Sequence, residues 1–491
     1  MMSKSEYRFP TELREIIRDA LPEETSLHSI KPELRNTYVP DTHIKALRPD
    51  TMLVVGIRGS GKSFWWSALQ KPEHRSLLGQ QFGIAKDAVI STGFGEKSSP
   101  ENYPSKDTLC SLLEHNKARL IWRTIVFYHV GKKAIPSDFR ILENWKERLE
   151  WVRTNPEETE KCLSRADNAL AKENKYHLVL FDALDRAADE WQTMNDLVRG
   201  LLQNLLEFRS YKKIRLKLFL RTDQLEDSSV MTFPDASKVM SEKAELFWPR
   251  HELYGLLWQH LANTENGQLF REKCKELINC KWKKNESVWI VPDMLRREED
   301  EQRNVFHAIA GKWMGKDRRR GFPYTWLINH LGDARREASP RSFLSALRHA
   351  ASDNLRQDQE YALHYESIKR GVQEASKIRV REMQEDYPWV ENLMKPLGGK
   401  INVPCDVEEV EKLWKCENIL EELKKSIKLA SVRLPPAHIN EGFRGVILDL
   451  AQLGVIEQVA GDRINLPDVY RVGYGIGRRG GVKPVARNRG D

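Results

Sequence analysis

Residues 56–63 read Gly-Ile-Arg-Gly-Ser-Gly-Lys-Ser, and no other segment constrains the fold of this chain as tightly. The spacing fits G-x-x-x-x-G-K-[ST], in which glycines let the backbone bend closely around an anion. Upstream, residues 52–55 form a short β-branched apolar run; downstream, FWWSALQ predicts a helix. Strand, glycine bend and helix together make a phosphate-binding loop, because backbone N–H groups converge on the phosphates and the helix N-terminus favours negative charge. Gly56, Arg58, Gly59, Ser60, Gly61, Lys62, Ser63 and Phe64 are therefore the candidate nucleotide-binding residues. Lys62 would reach the β and γ phosphates of ATP, and Ser63 would bind Mg2+.

A parallel sheet is expected around this loop. Apolar runs at residues 88–91, 176–181, 214–220 and 244–248 alternate with helical segments, and helices occupy residues 106–173 with breaks near Pro136 and Pro156. In HLVLFDALDR a strand delivers Asp182 to its C-terminal edge, where a carboxylate can hold the metal. Asp185, three residues on, either orients or deprotonates the attacking water or is a helix cap or ion-pair partner of Arg186. Arg221, Thr222 and Asp223 close the fourth strand, as a γ-phosphate sensor or as a solvated strand end. The candidate catalytic set is Lys62, Asp182, Asp185 and Arg221, with Ser63 and Asp182 on the metal.

Beyond the sheet the pattern turns helical. Segments at residues 253–262, 300–314, 324–331 and 340–351 suggest an all-α lid, in which Ser339 caps a helix, Pro340 opens it, and Arg341 either reaches the nucleotide or faces solvent. Arg335 and Arg336 are its rivals. Charged helices at residues 360–385 and 407–425 form a connector. A helix at residues 441–453 followed by the hairpin VIEQVAGDRINLP suggests a C-terminal winged helix. The expected division is 1–50 helix and linker, 51–250 ATPase core, 251–355 lid, 356–430 connector, 431–472 winged helix and 473–491 a Gly/Arg-rich tail.

With 491 residues there is material for about three domains. The charge balance of +8 is too mild to imply nucleic acid by itself. Apolar stretches are strand-sized and the N-terminus lacks a signal-like apolar core, so a membrane span or secretion is not expected. The scattered cysteines form no C-x-x-C pair, which points to reduced, cytoplasmic thiols and no zinc site. HELYGLLWQH lacks the i, i+4 histidine pair of a zinc protease and reads as a packed helix; Trp65 and Trp66 read as core. Gly475, Gly477 and Gly480 match G-x-G-x-x-G but follow no strand of a βαβ unit, so no dinucleotide site is expected.

Phosphate loop, acidic strand, sensor strand, helical lid and winged helix in this order resemble the AAA+-related ATPases, especially the STAND signalling NTPases and the origin-recognition-type ATPases, over residues 36–470. YVPDTH, residues 38–43, looks like the linker that packs near adenine in such families. DALDR resembles the STAND D-G-h-D-E pattern, with Ala183 in place of glycine and Arg186 in place of the final acid. SPRSF resembles the family's lid arginine motif around Pro340 and Arg341. The resemblance implies an ATP-driven switch acting through a protein partner, with nucleotide-dependent self-association and, in bacteria, a place in anti-phage defence. The alternative is a DNA-binding ATPase of origin-recognition or transposition-helper type, gripping DNA with its winged helix and Arg471, Arg478, Arg479, Lys483, Arg487 and Arg489.

Overall fold

The computed structural model describes residues 4–23, 32–84, 87–130, 134–226, 229–354, 360–429 and 434–478. The chain divides into two compact units, one made of residues 41–247 and the other of residues 1–40 with 248–491.

The unit of residues 41–247 is a P-loop α/β domain. Its strands β1 (Leu53–Gly56), β2 (Val89–Phe94), β3 (His177–Phe181), β4 (Ile214–Arg221) and β5 (Ala244–Glu245) are all parallel, in the order β2-β3-β4-β1-β5. Every residue of β1 and β3 is buried. Successive side chains point to opposite faces, so such strands require helices on both faces of the sheet. The indole of Trp122, on the helix Ala118–Val130, stands edge-on to Phe94 and Phe181 and donates to the Leu197 carbonyl at 2.8 Å, joining two covering helices to the sheet. Edge strand β2 extends to Phe94, beyond the expected residue 91, whereas β5 stops at Glu245, short of Pro249 and the helix Arg250–Asn263.

Two buried polar side chains lock the sheet from below. Lys217 on β4 donates to the carbonyls of Ala46 at 2.7 Å, Arg48 at 3.0 Å and Thr51 at 2.5 Å. Asp167, on the helix Pro156–Lys172, accepts the backbone N–H groups of Lys212, Lys213 and Ile214 at 2.7–3.0 Å and so anchors the start of β4.

The other unit is mainly helical. Leu13, Ile16 and Ile17 of the helix Lys4–Ala20 share a core with Trp258, Phe306, Phe343, Leu347 and Val372. The lid is not all-α: residues 283–290 form the hairpin β6 (Lys283–Asn285) and β7 (Val288–Ile290), turning at Glu286 with φ +50°. It lies between the helical segments expected at 253–262 and 300–314, and each arm is only a few residues long. The helix expected at 300–314 spans Glu299–Ala310 and ends where Gly311 adopts φ +75°. That expected at 407–425 is two helices, Val407–Cys416 and Ile419–Lys428, parted by Asn418 at φ +52°. Helix Pro340–Ala351 begins on the Ser339 cap as expected, its hydroxyl accepting from Ser342 N–H at 3.1 Å.

Near the C-terminus, β8 (Asn402–Val403) pairs in parallel with β12 (Gly477–Arg478), while β9 (Cys405–Asp406), β10 (Glu457–Val459) and β11 (Arg463–Asn465) make an antiparallel sheet ordered β10-β11-β9. Arg471 is no tail residue: it is fully buried, paired with Asp468 at 2.6 Å, and Arg478 approaches the same carboxylate at 3.3 Å. Arg479, Lys483, Arg487 and Arg489 lie outside the described residues. Among the described residues no helix is long and apolar enough to cross a membrane, and no His, Cys, Asp or Glu cluster could hold a metal.

Asp167→Ala strands three buried N–H groups. We expect it to destabilise the chain by about 2–4 kcal/mol in urea unfolding, with Asp167→Asn, which keeps one acceptor oxygen, costing less.

Candidate functional site

The chain leaves β1 in one direction towards β2 and returns through β3 and β4, while β5 lies on the other flank, so the strand order reverses at β1. Crevices at such switch points, outside the carboxyl ends of the strands, are where open parallel sheets bind ligands. The phosphate loop emerges at this point. Gly59 and Gly61 hold φ +80° and +103°, which glycine adopts without strain. A Cβ on Gly56 would stand 2.4 Å from the Ser60 hydroxyl, so the loop's tightness depends on that glycine too. Ser60 N–H closes a turn on the Ile57 carbonyl at 3.2 Å, and the helix ladder starts with Trp65 N–H on Gly61 at 3.0 Å. The amides of Lys62, Ser63 and Phe64 therefore precede the ladder of helix Lys62–Gln70, as an anion-binding N-terminus requires. Arg58 is half-buried within the loop.

The Lys62 ammonium donates to the carbonyls of Gly56 and Ile57, each at 2.8 Å. Desolvation lowers its pKa to about 8, with Arg221 pushing in the same direction and Asp182, Asp223 and Asp185 opposing. Asp182 is buried at the end of β3 beside the Ser63 hydroxyl, which donates to it; burial raises its pKa to about 6, against the pull of Ser63 and Lys62. A hydroxyl and a carboxylate in contact are hard oxygen donors and fit Mg2+, with Ser63 and Asp182 as the residues that would hold it.

Asp185 sits in the 3-10 turn Leu184–Arg186, which Ala183 enters at φ +57°, a conformation usually left to glycine or asparagine. Its charge is felt by both Lys62 and Asp182. Arg186 does not pair with it; the guanidinium meets Glu96 at 2.8 Å instead. Arg221 aligns with Gly56 across the sheet and forms a two-pronged pair with Asp223 at 3.0 and 2.6 Å, while its N–H donates to the Gln224 side chain at 3.0 Å. Lys62, Asp182, Asp185 and Arg221 thus share one electrostatic site.

Arg341 belongs to the other unit, where its guanidinium pairs with Glu382. The rival Arg335 donates to the Gln452 carbonyl at 2.6 Å, and Arg336 holds φ +61°. YVPDTH straddles the unit boundary. Tyr38 donates to buried Glu252 at 2.5 Å within one unit; within the other, Thr42 donates to the Phe247 carbonyl at 2.8 Å and His43 accepts from the Trp65 indole at 3.1 Å. Sequence reasoning missed Glu96 and Gln224. They stand two and three positions beyond the ends of β2 and β4, in TGFGE and RTDQ, whereas Asp182 follows its strand immediately.

No protein-family model matches the sequence, and no curated protein matches it. Among solved structures the chain is similar to the Walker-type ATPase of Pyrococcus abyssi, with a TM-score of 0.39, 11% identity and coverage of 92% of this chain and 100% of that one. It is also similar to the ORC2 protein of Aeropyrum pernix in ADPNP–ADP complexes (0.34, 15%, 85% and 84%). Cdc6p from Pyrobaculum aerophilum is another (0.30, 11%, 91% and 94%).

We expect Lys62→Ala to abolish ATP binding in titration calorimetry. Metal-dependent binding should weaken as the pH falls through about 6, where Asp182 is protonated, and again above about 8, where Lys62 loses its charge. Asp182→Asn should flatten the acidic limb and move the alkaline limb to lower pH, because the Asp182 charge helps keep Lys62 protonated.

Proposed function

We propose that the chain is an ATP-binding and ATP-hydrolysing P-loop ATPase of AAA+ type that works on DNA. The observation that carries the enzymatic part is the convergence of Lys62, Ser63, Asp182, Asp185 and the Arg221–Asp223 pair on one edge of a parallel sheet. Lys62 and the loop amides hold the β and γ phosphates. When bound to Ser63 and Asp182, Mg2+ neutralises charge on the phosphate oxygens. Asp185 orients the attacking water and takes its proton, and Arg221 exchanges Asp223 for the γ-phosphate and so reads whether it is present.

The DNA part is supported by topology. The helix Phe443–Gln452 followed by the hairpin β10–β11 supports reading residues 431–472 as a winged helix, with β9, from the expected connector, pairing with β11 at its edge. The same fold also suits an ATP-driven switch that acts through a protein partner. Exposed Lys283 and Lys284 on β6, with Lys281 just before it, favour a polyanionic target. Neither fold nor site bears on a role in defence. Nucleotide-dependent self-association belongs to this reading and is tested by molar mass with a slowly hydrolysed ATP analogue.

Asp185→Asn is expected to spare ATP affinity and to slow turnover by about a hundredfold or more. Turnover that survives this change removes Asp185 from the chemistry. Turnover of the wild-type chain should rise with duplex DNA, and the rise should fade with salt.

A further inference from the structure

Between the helices Glu299–Ala310 and Pro323–Leu331 runs a loop, residues 311–322, reading GKWMGKDRRRGF. It is firmly built. Gly311 and Gly321 turn at φ +75° and +79°, Met314 N–H donates to the Gly321 carbonyl at 2.9 Å, and the Met314 side chain is buried in the core of its unit. At the base, Trp313 stacks on Phe322 with ring centres 4.9 Å apart. Lys312 lies over Trp313, and Arg303 over the Phe322 ring at 5.2 Å.

What this frame displays is positive charge. Lys312, Lys316, Arg318, Arg319 and Arg320 are all exposed, and among the described residues none of them forms an ion pair. The only acid within the loop, Asp317, accepts the Arg319 backbone N–H at 2.8 Å, so its carboxylate is engaged with the main chain. Lys369, on the helix Tyr365–Asp386, faces the same cluster: burial and then Arg320 lower its pKa, with Glu366 opposing. Elsewhere on this chain exposed arginines find carboxylates, as Arg444 does with Asp462 and Glu411 and Arg186 with Glu96. Like charges held together on a rigid loop cost energy unless an anion covers them.

We propose that this loop docks the phosphate backbone of duplex DNA, with Arg318, Arg319 and Arg320 as the principal phosphate ligands. The inference rests on the DNA-directed reading above and assigns it a surface. Planar guanidinium forks suit phosphate oxygens better than point charges do. The aromatic residues favour a duplex over a single strand: Trp313 and Phe322 spend one face on each other, and Lys312 and Arg303 lie over the same rings, in competition with an unpaired base. The hairpin β10–β11 is the weaker candidate, since Glu457 and Asp462 lie on it beside its one arginine, Arg463.

The test uses the full chain and a labelled mixed-sequence duplex, with affinity followed across about 50–200 mM salt. Replacing Arg318, Arg319 and Arg320 together by Ala should weaken binding at least about tenfold and make the slope of log K against log salt shallower by about 2–3. The matching triple Lys variant should keep most of that slope, because phosphate contacts read charge. All three arginines are exposed, and an unchanged melting temperature verifies that the variants fold. If the wild-type chain binds no duplex, the DNA-directed reading fails and this inference with it. Wild-type binding that the Ala variant matches in affinity and slope overturns the inference alone. So does displacement of the duplex by polyglutamate as readily as by unlabelled duplex, which would make an acidic protein the partner.

Discussion

Two opposite charges share the buried edge of the parallel sheet: the Lys62 ammonium and the Asp182 carboxylate. Burial drives the one down to about 8 and the other up to about 6, so each is held in its charged form chiefly by its neighbours. A protein interior rarely tolerates such groups unless they are paired and hydrogen-bonded. Here Lys62 leans on two loop carbonyls and Asp182 on the Ser63 hydroxyl, partners that a phosphate chain and its metal could replace with stronger ones. The loop geometry, the strand order and the helix N-terminus all serve to bring these charges to one place.

The second unit uses charge differently. Glu382 receives Arg341 from the helix Pro340–Ala351 and lies 3.4 Å from Arg379 on its own helix. Asp468 gathers His330 at 3.2 Å, Arg471 and Arg478. These buried pairs tie the lid helices, the long helix Tyr365–Asp386 and the C-terminal segment into one body. Pairs of this kind contribute little net stability compared with apolar packing, but they penalise any register that separates them. Parting the lid from the long helix would take Arg341 from Glu382, which keeps Arg379, and parting it from the C-terminal segment would take His330 from Asp468, which keeps Arg471 and Arg478.

How far the sequence could be read depended on the range of the interaction. The phosphate loop, the strand carrying Asp182 and the Ser339–Pro340 helix start are local: glycine, cap and apolar run lie within a few residues, and each was legible. Long-range pairing was not. Nothing near Arg471 announces that it is buried on Asp468, since the Gly- and Arg-rich run that follows suggests a tail. Arg341 likewise reads as solvent-facing or nucleotide-facing, yet its partner lies 41 positions away on another helix. The hairpin β6–β7 escaped because its strands, three residues each, are too short to show an alternating pattern.

The same distinction separates structural from recognition charge. A count of arginines ranks the C-terminal run first, but burial and pairing withdraw Arg471 and engage Arg478. The arginines at 318–320 attract less notice in the sequence, being a short run between two helices, and yet they keep their charge facing solvent. Their loop is clasped by the Met314–Gly321 hydrogen bond and anchored through Met314, so that the backbone entropy of presenting them is already spent in folding. A partner that meets preorganised cations gains the full electrostatic attraction without first ordering the surface. Rigid presentation is what suits this loop to a polyanion.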